Sequence, residues 1–168
     1  MPLSMHQVST PRFIHTLNAL SAILSKAAAH AETKKIDPLA LTSFRLYPDM
    51  FPLSRQVQIA CDMAKGAAAR LGGVEMPKYE DTEKTFEELK ARIAKTIAFI
   101  QSVKPGQVDG SEEKAIVLKG GSGELKFTGT DYLLGFVYPN FYFHVATAYN
   151  ILRHNGIEIG KNDFLGHS

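Results

Sequence analysis

Apolar residues recur at alternating intervals of four and three in four stretches of this 168-residue chain, a period that restricts those stretches to helices burying one face. Phe13, Leu17, Leu20, Leu24, Ala27 and Ala31 form the first stripe, and Leu53, Val57, Ala60, Ala64, Ala67 and Leu71 the second. Phe86, Leu89, Ile93, Ile97 and Ile100 form the third, and Val137, Phe141, His144, Ala148 and Leu152 the fourth. Local signals agree with these faces. Thr10-Pro11 suits a helix start, and Asp49 is placed to cap the second helix with Pro52 in its first turn. Gly72-Gly73, Pro105-Gly106 and Asn155-Gly156 suit the later ends. The spacing therefore predicts helices near 8–32, 50–71, 82–103 and 130–155. Burying a large apolar side chain stabilises by about 1.5–3 kcal/mol, and four such stripes are satisfied most simply by a four-helix bundle. The chain is thus predicted to be a single all-α domain over 1–168, with its fourth helix, apolar almost all round, the most enclosed. Ala115–Leu118 and Glu124–Phe127 flank Gly120-Gly121-Ser122-Gly123, which predicts a small β-hairpin near 114–128 between the third and fourth helices. Ile159, Phe164 and Leu165 predict a tail packed on the helices.

Composition narrows the function classes. Nineteen Lys and Arg against 17 Asp and Glu leave a net charge of +2, with no global field for nucleic acid or anionic lipid. One Cys excludes an intramolecular disulfide framework and a Cys-rich zinc module. Residues 1–31 carry Arg12 and Lys26 and no acid, imitating a transit peptide, but the apolar spacing assigns them to the first helix. Tyr132–Leu152 is uncharged and long enough to span a bilayer, yet Pro139, Asn140, His144, Asn150 and four tyrosines interrupt it. The expectation is a soluble, cytoplasmic protein without membrane or nucleic-acid partners.

Among the six histidines, His6 and His167 fall near the termini, His15 on an outer face and His30 at the edge of its stripe, and His154 belongs to a helix C-terminus, where a cation suits the dipole. His144 instead occupies a core position of its stripe, and a buried imidazole needs a hydrogen-bond partner or a metal. Asn140, four residues earlier, shares its face, and Gln56 is an amide on the facing second helix. Cys61 follows Ala60 with no His nearby and reads as a small buried hydrophobe, while Asp62 points away from the stripe. No phosphate-binding Gly loop, Gly-x-Ser-x-Gly elbow or His-Glu-x-x-His motif is present.

The stretches Arg45-Leu-Tyr-Pro-Asp-Met-Phe-Pro-Leu53, Gln56-Val-Gln-Ile-Ala-Cys-Asp62, Pro139-Asn-Phe-Tyr-Phe-His144 and Leu152-Arg-His-Asn-Gly-Ile157, with Gly160-Lys-Asn-Asp-Phe-Leu-Gly166, resemble an uncharacterised domain-of-unknown-function family grouped with the DinB/YfiT-like four-helix bundles. The resemblance covers nearly the whole chain. It implies a left-handed up-down-down-up bundle and, in many superfamily members, a divalent metal on three histidines, one from helix 2 and an i, i+4 pair from a late helix. His144 matches the second of that pair, Asn140 stands in place of the first, and helix 2 offers Gln56 but no His. Amides are weaker ligands for zinc or nickel than imidazole. The leading expectation is a metal-free pocket for a small molecule, lined by Gln56, Asn140, His144, Phe141 and Tyr47, with Asp49 nearby. The alternative is a metal-dependent thiol transferase or hydrolase with His144 as ligand and a carboxylate such as Asp49. Superfamily analogy and the apolar faces of helices 2 and 4 further suggest a homodimer.

Overall fold

The first stripe lies along one side of α1 (Thr10–Lys34), and each of its six residues is buried. Pro11 sits in the opening turn of α1, and Lys35 ends the helix in the left-handed region, its N–H reaching the carbonyls of Ala31 and Glu32. The computed structural model describes residues 3–120 and 123–167, so Gly121 and Ser122 of the expected hairpin turn, and Ser168 of the tail, lie outside the described residues. A short helix α2 (Pro38–Thr42) opens on the Asp37 carboxylate, which accepts from Leu39 N at 2.9 Å. The long helix α3 (Leu53–Gly72) begins after Pro52 rather than at Asp49, which is left exposed. Leu53 N donates to the Phe44 carbonyl at 2.9 Å, so the preceding loop folds back onto the start of the helix and displaces the cap that Asp49 was expected to supply. Gly73, at φ 64°, closes α3.

Helix α4 (Phe86–Ser102) starts on a reciprocal cap: Glu88 N donates to Thr85 Oγ1 at 3.2 Å, and the Glu88 carboxylate accepts from Thr85 N at 2.9 Å and Lys84 N at 2.7 Å. These backbone donors hold the Glu88 carboxyl below its ordinary pKa. After α5 (Pro105–Val108), strands β1 (Ile116–Gly120) and β2 (Gly123–Phe127) pair antiparallel with Ile116 opposite Phe127 and Leu118 opposite Leu125.

The fourth helical stretch is not continuous. A short α6 (Gly129–Asp131) passes into a π-helical stretch over Tyr132–Val137 and only then into α7 (Tyr138–His154). Pro139 lacks an N–H and its ring crowds the carbonyl four residues back, so a regular ladder cannot run through it. The widened turn absorbs the mismatch, and the Asn140 side chain donates to the Phe136 carbonyl at 2.7 Å. The chain ends in α8 (Lys161–Leu165), which packs on α1, with Leu165 O 2.7 Å from His15 Nε2.

Contacts at both ends set the helix directions. Gln56 meets His144 while Arg70 meets Tyr132, so α3 and α7 run antiparallel. Asp62 meets Arg92, and Gly72 abuts Val103, so α3 and α4 run the same way. The Phe13 ring packs on Phe141 and Tyr138 at centroid distances of 5.1 and 5.4 Å, joining α1 to α7. Helix α3 lies between α7 and α4, and it is more deeply covered than α7. The expectation that the fourth helix is the most enclosed is therefore corrected: Tyr142 and Phe143 on α7 are exposed, because its close packing is mainly toward α3, with lighter contacts to α1 and, through Tyr149 and Phe164, to α8. Among the described residues no helix is long and apolar enough to cross a membrane.

Gly129 makes a close approach that no other residue fits, since a Cβ there would overlap the carbonyl oxygen of Ser111. That segment is pinned by Thr130 N donating to Glu112 O at 2.9 Å. Gly129→Ala should lower the unfolding free energy in urea melts by about 2–3 kcal/mol, as overpacking against fixed backbone does. Gly106→Ala, with open space around it in a helical turn, should melt no earlier than the parent.

Candidate functional site

The antiparallel crossing of α3 and α7 brings the first turn of one helix against the second turn of the other. There Gln56 Oε1 and His144 Nδ1 approach to 2.6 Å, both side chains being buried. The Gln56 amide is oriented by its other end, because Nε2 donates to the Phe51 carbonyl at 3.0 Å and a carbonyl only accepts. Oε1 is therefore the atom facing the ring, and the neutral imidazole must carry its proton on Nδ1. That leaves a lone pair on Nε2. Burial, and secondarily the positive charge of Arg55, hold the His144 pKa below its ordinary 6.5. At neutral pH the group is thus an uncharged base. A depressed folded-state pKa also means that the unfolded chain binds more protons, so this residue's contribution to stability is present above about pH 6.5 and is lost as pH falls toward the folded-state value. The exposed Phe143 ring stands edge-on to the imidazole at 5.2 Å, and Arg55 lies over the exposed Phe51 ring at 5.9 Å.

Of the six residues expected to line a pocket, only Gln56 and His144 are bonded together. Asn140 turns its amide onto its own helix at Phe136. Phe141 is fully buried against Phe13 on the α1 side. Tyr47 and Asp49 are exposed on the loop before α3, and among the described residues neither bonds to His144. These placements also decide whether the implied metal fits. The Gln56 oxygen already accepts from the ring and the Asn140 amide is committed, so His144 would be a lone ligand. Among the described residues no three His, Cys, Asp or Glu side chains converge to hold a metal ion. The residues present do not form the three-ligand site that the resemblance implies.

Sequence reasoning missed a second polar assembly, on the other edge of α3. The Arg92 guanidinium of α4, which is almost completely buried, bonds Asp62 at 3.0 Å, Asp81 at 2.9 Å, Glu83 at 3.1 Å and the Glu80 carbonyl at 3.0 Å. Lys65, also buried, pairs with Asp62 at 3.0 Å, and Gln58 donates to Glu83 at 3.0 Å. Arg55 pairs with Asp81. The Tyr79 ring faces Lys65 and Lys95 at 4.0 and 4.3 Å. Burial opposes the charge on Arg92, but Asp62 and Glu83 outweigh it and raise its pKa further. The assembly clamps the connection after α3 onto two helices. One signal was present in the sequence: Gln58, Asp62 and Lys65 repeat at 4 and 3, a polar stripe beside the apolar one. Cys61, behind this clamp, is fully buried and its thiol is pushed up to about 12, so it has no thiolate for nucleophilic work.

A family model described as a domain of unknown function, DUF1993, matches residues 5–165. The chain is also similar to the crystal structure of a DinB family member protein from Shewanella denitrificans. They share 40% sequence identity and a TM-score of 0.88, over 96% of this chain and 91% of that one. No curated protein matches.

Arg92→Met should unfold at lower urea by about 3 kcal/mol, because it removes the nearest cation of buried Glu83, leaving it only Lys95 at 3.8 Å, while Asp62 and Asp81 keep some access to water. A melt within about 1 kcal/mol of the parent would mean that the clamp is a dispensable surface pairing.

Proposed function

The chain belongs to the DUF1993 family among the DinB-like proteins, and from that starting point we propose a cytoplasmic four-helix bundle that binds a small protic molecule at His144 without a metal. In this reading α1, α3, α4 and α7 follow the up-down-down-up order. The bond between His144 Nδ1 and Gln56 Oε1 carries the proposal, because it fixes the tautomer and leaves Nε2 as the acceptor. A ligand O–H or S–H would donate a hydrogen bond to Nε2, which stays unprotonated because burial and the nearby Arg55 charge disfavour the imidazolium. The exposed rings of Phe51 and Phe143 would flank the apolar part of such a molecule. A thiol-transferase or hydrolase reaction through a metal would need ligands that Gln56 and Asn140 do not offer. The exposed Tyr142 and Phe143 support the expectation that a second copy of the chain covers part of α7.

Protein purified without a His tag should contain far less than one equivalent of zinc, nickel, iron or manganese. In a fragment screen read from the His144 ring resonances, alcohols, phenols or thiols should be selected, and His144→Phe should abolish their binding. One equivalent of metal that is lost in His144→Ala, or a screen in which no protic fragment shifts His144, would overturn the reading.

A further inference from the structure

A third polar contact of α3 sits near its C-terminal end and differs from the other two. Arg70 Nη1 donates to the hydroxyl of Tyr132 at 2.8 Å, and the guanidinium carbon lies 5.8 Å from that ring's centroid. Gly66, one turn earlier, is the seat for this arrangement, since a Cβ there would collide with Arg70 Nη1. The arginine is held in one place by a missing side chain and a buried hydroxyl. Among the described residues it has no carboxylate partner, whereas Arg55 and Arg92 on the same side of the molecule both do. Burial raises the Tyr132 pKa, so the phenol stays protonated and cannot serve as the counter-charge.

Arg70 also lies where two surface depressions meet. One, of about 340 Å³, runs between the hairpin and the π-helical stretch and is lined by Leu118, Leu125, Tyr132 and Phe136. The other, of about 390 Å³, lies under the connection after α3 and is lined by Met76, Pro77 and Tyr79, with Lys65 and Lys78. Met63 and Arg70 belong to both and form the shared floor. The carboxylate in the second depression, Asp62, is already bonded to Lys65 and Arg92. The π-helical turn builds the far wall: Tyr132 and Phe136 stack with centroids 6.0 Å apart, and Phe127 of β2 packs on both at 6.1 and 5.5 Å. The result is a cleft with an aromatic wall and, at its centre, a pre-positioned guanidinium that has no carboxylate partner among the described residues.

We propose that this cleft binds a small organic carboxylate with an alkyl or aryl tail. Four of the five N–H groups of Arg70 remain for the carboxylate, whose planar pair of oxygens matches the guanidinium fork, while Lys119 in the lining of the first depression and Lys78 in that of the second add to the positive potential around it. The tail lies on Met63 and the aromatic wall, and each depression has the volume of a small-ligand site. Gly66 and Tyr132 are positioning residues: they touch the arginine rather than the ligand's charge. This site is separate from His144, at the opposite end of the α3 and α7 contact, and does not depend on the reading given for it.

The test is an amide and arginine side-chain NMR titration of the full chain with octanoate, run beside octanol and inorganic phosphate. Octanoate should shift Gly66, Arg70 and Tyr132 at millimolar concentration or below, and both comparison probes should bind about tenfold more weakly or worse. Arg70→Met should weaken octanoate about tenfold or more without weakening octanol. Gly66→Ala should do the same while melting no earlier than the parent, since alanine favours the helix interior and only the flexible end of Arg70 must move. Octanol binding as well as octanoate, phosphate binding as well as octanoate, full affinity in Arg70→Met, or no shift at this site would each overturn the proposal.

Discussion

Helix α3 is buried on two sides at once, against α7 and α4, and its polar contacts to His144, Arg92 and Tyr132 are made from the edges of those two faces. Its apolar stripe, Leu53 to Leu71, is fully enclosed, which leaves side chains at the stripe's edges with nowhere to go but into neighbouring helices. Gln56 meets His144 on one side, Gln58 and Asp62 meet the Arg92 clamp on the other, and Arg70 meets Tyr132 at the far end. The small residues Ala60, Ala64, Ala67 and Ala68 allow that approach, since bulk at these positions would push the neighbouring helices away and open the polar contacts to water. Shifting α3 by one turn would break all three contacts together.

The fold was largely legible in the apolar spacing, because burial acts on periodicity and leaves its mark at every third or fourth residue. The positions of α1 and α3 follow directly from Phe13 through Ala31 and from Leu53 through Leu71. What could not be read was the break before α7. Pro139 was visible, but whether a helix stops, kinks or widens at a proline depends on what receives the carbonyls it releases. Here the preceding turn widens and the Asn140 side chain donates to the Phe136 carbonyl, an arrangement no spacing rule encodes. The capping of α3 failed for a similar reason, since the hydrogen bond from Leu53 N to Phe44 O is set by how the whole loop folds back.

The candidate site was legible in part. His144 stood out as a polar residue in an apolar stripe, and Gln56 was among its foreseen partners. Asn140 was an equally good partner on helical geometry and lost to a competitor within its own helix. Phe141 follows the same stripe but turns toward α1, because a broad apolar face serves two neighbours at once. Tyr47 and Asp49 were drawn toward the site by their place in a distinctive motif, whereas burial, not motif density, decides which side chains converge. Arg92 went unnoticed because a charged residue beside a stripe is usually solvated, and only the arrival of Asp81 and Glu83 from a distant connection makes its burial tolerable.

The central claim is that His144 is a neutral base with its proton on Nδ1 and a free lone pair on Nε2, and not a metal ligand. A long-range 1H–15N correlation spectrum of the imidazole in tag-free protein at pH 7 observes both nitrogens directly. The expected result is a protonated Nδ1 and an unprotonated Nε2 at the position of a free ring nitrogen, with a titration midpoint below 6.5. A spectrum showing the proton on Nε2, both nitrogens protonated at neutral pH, or Nε2 displaced by a bound metal that a chelator removes would contradict it.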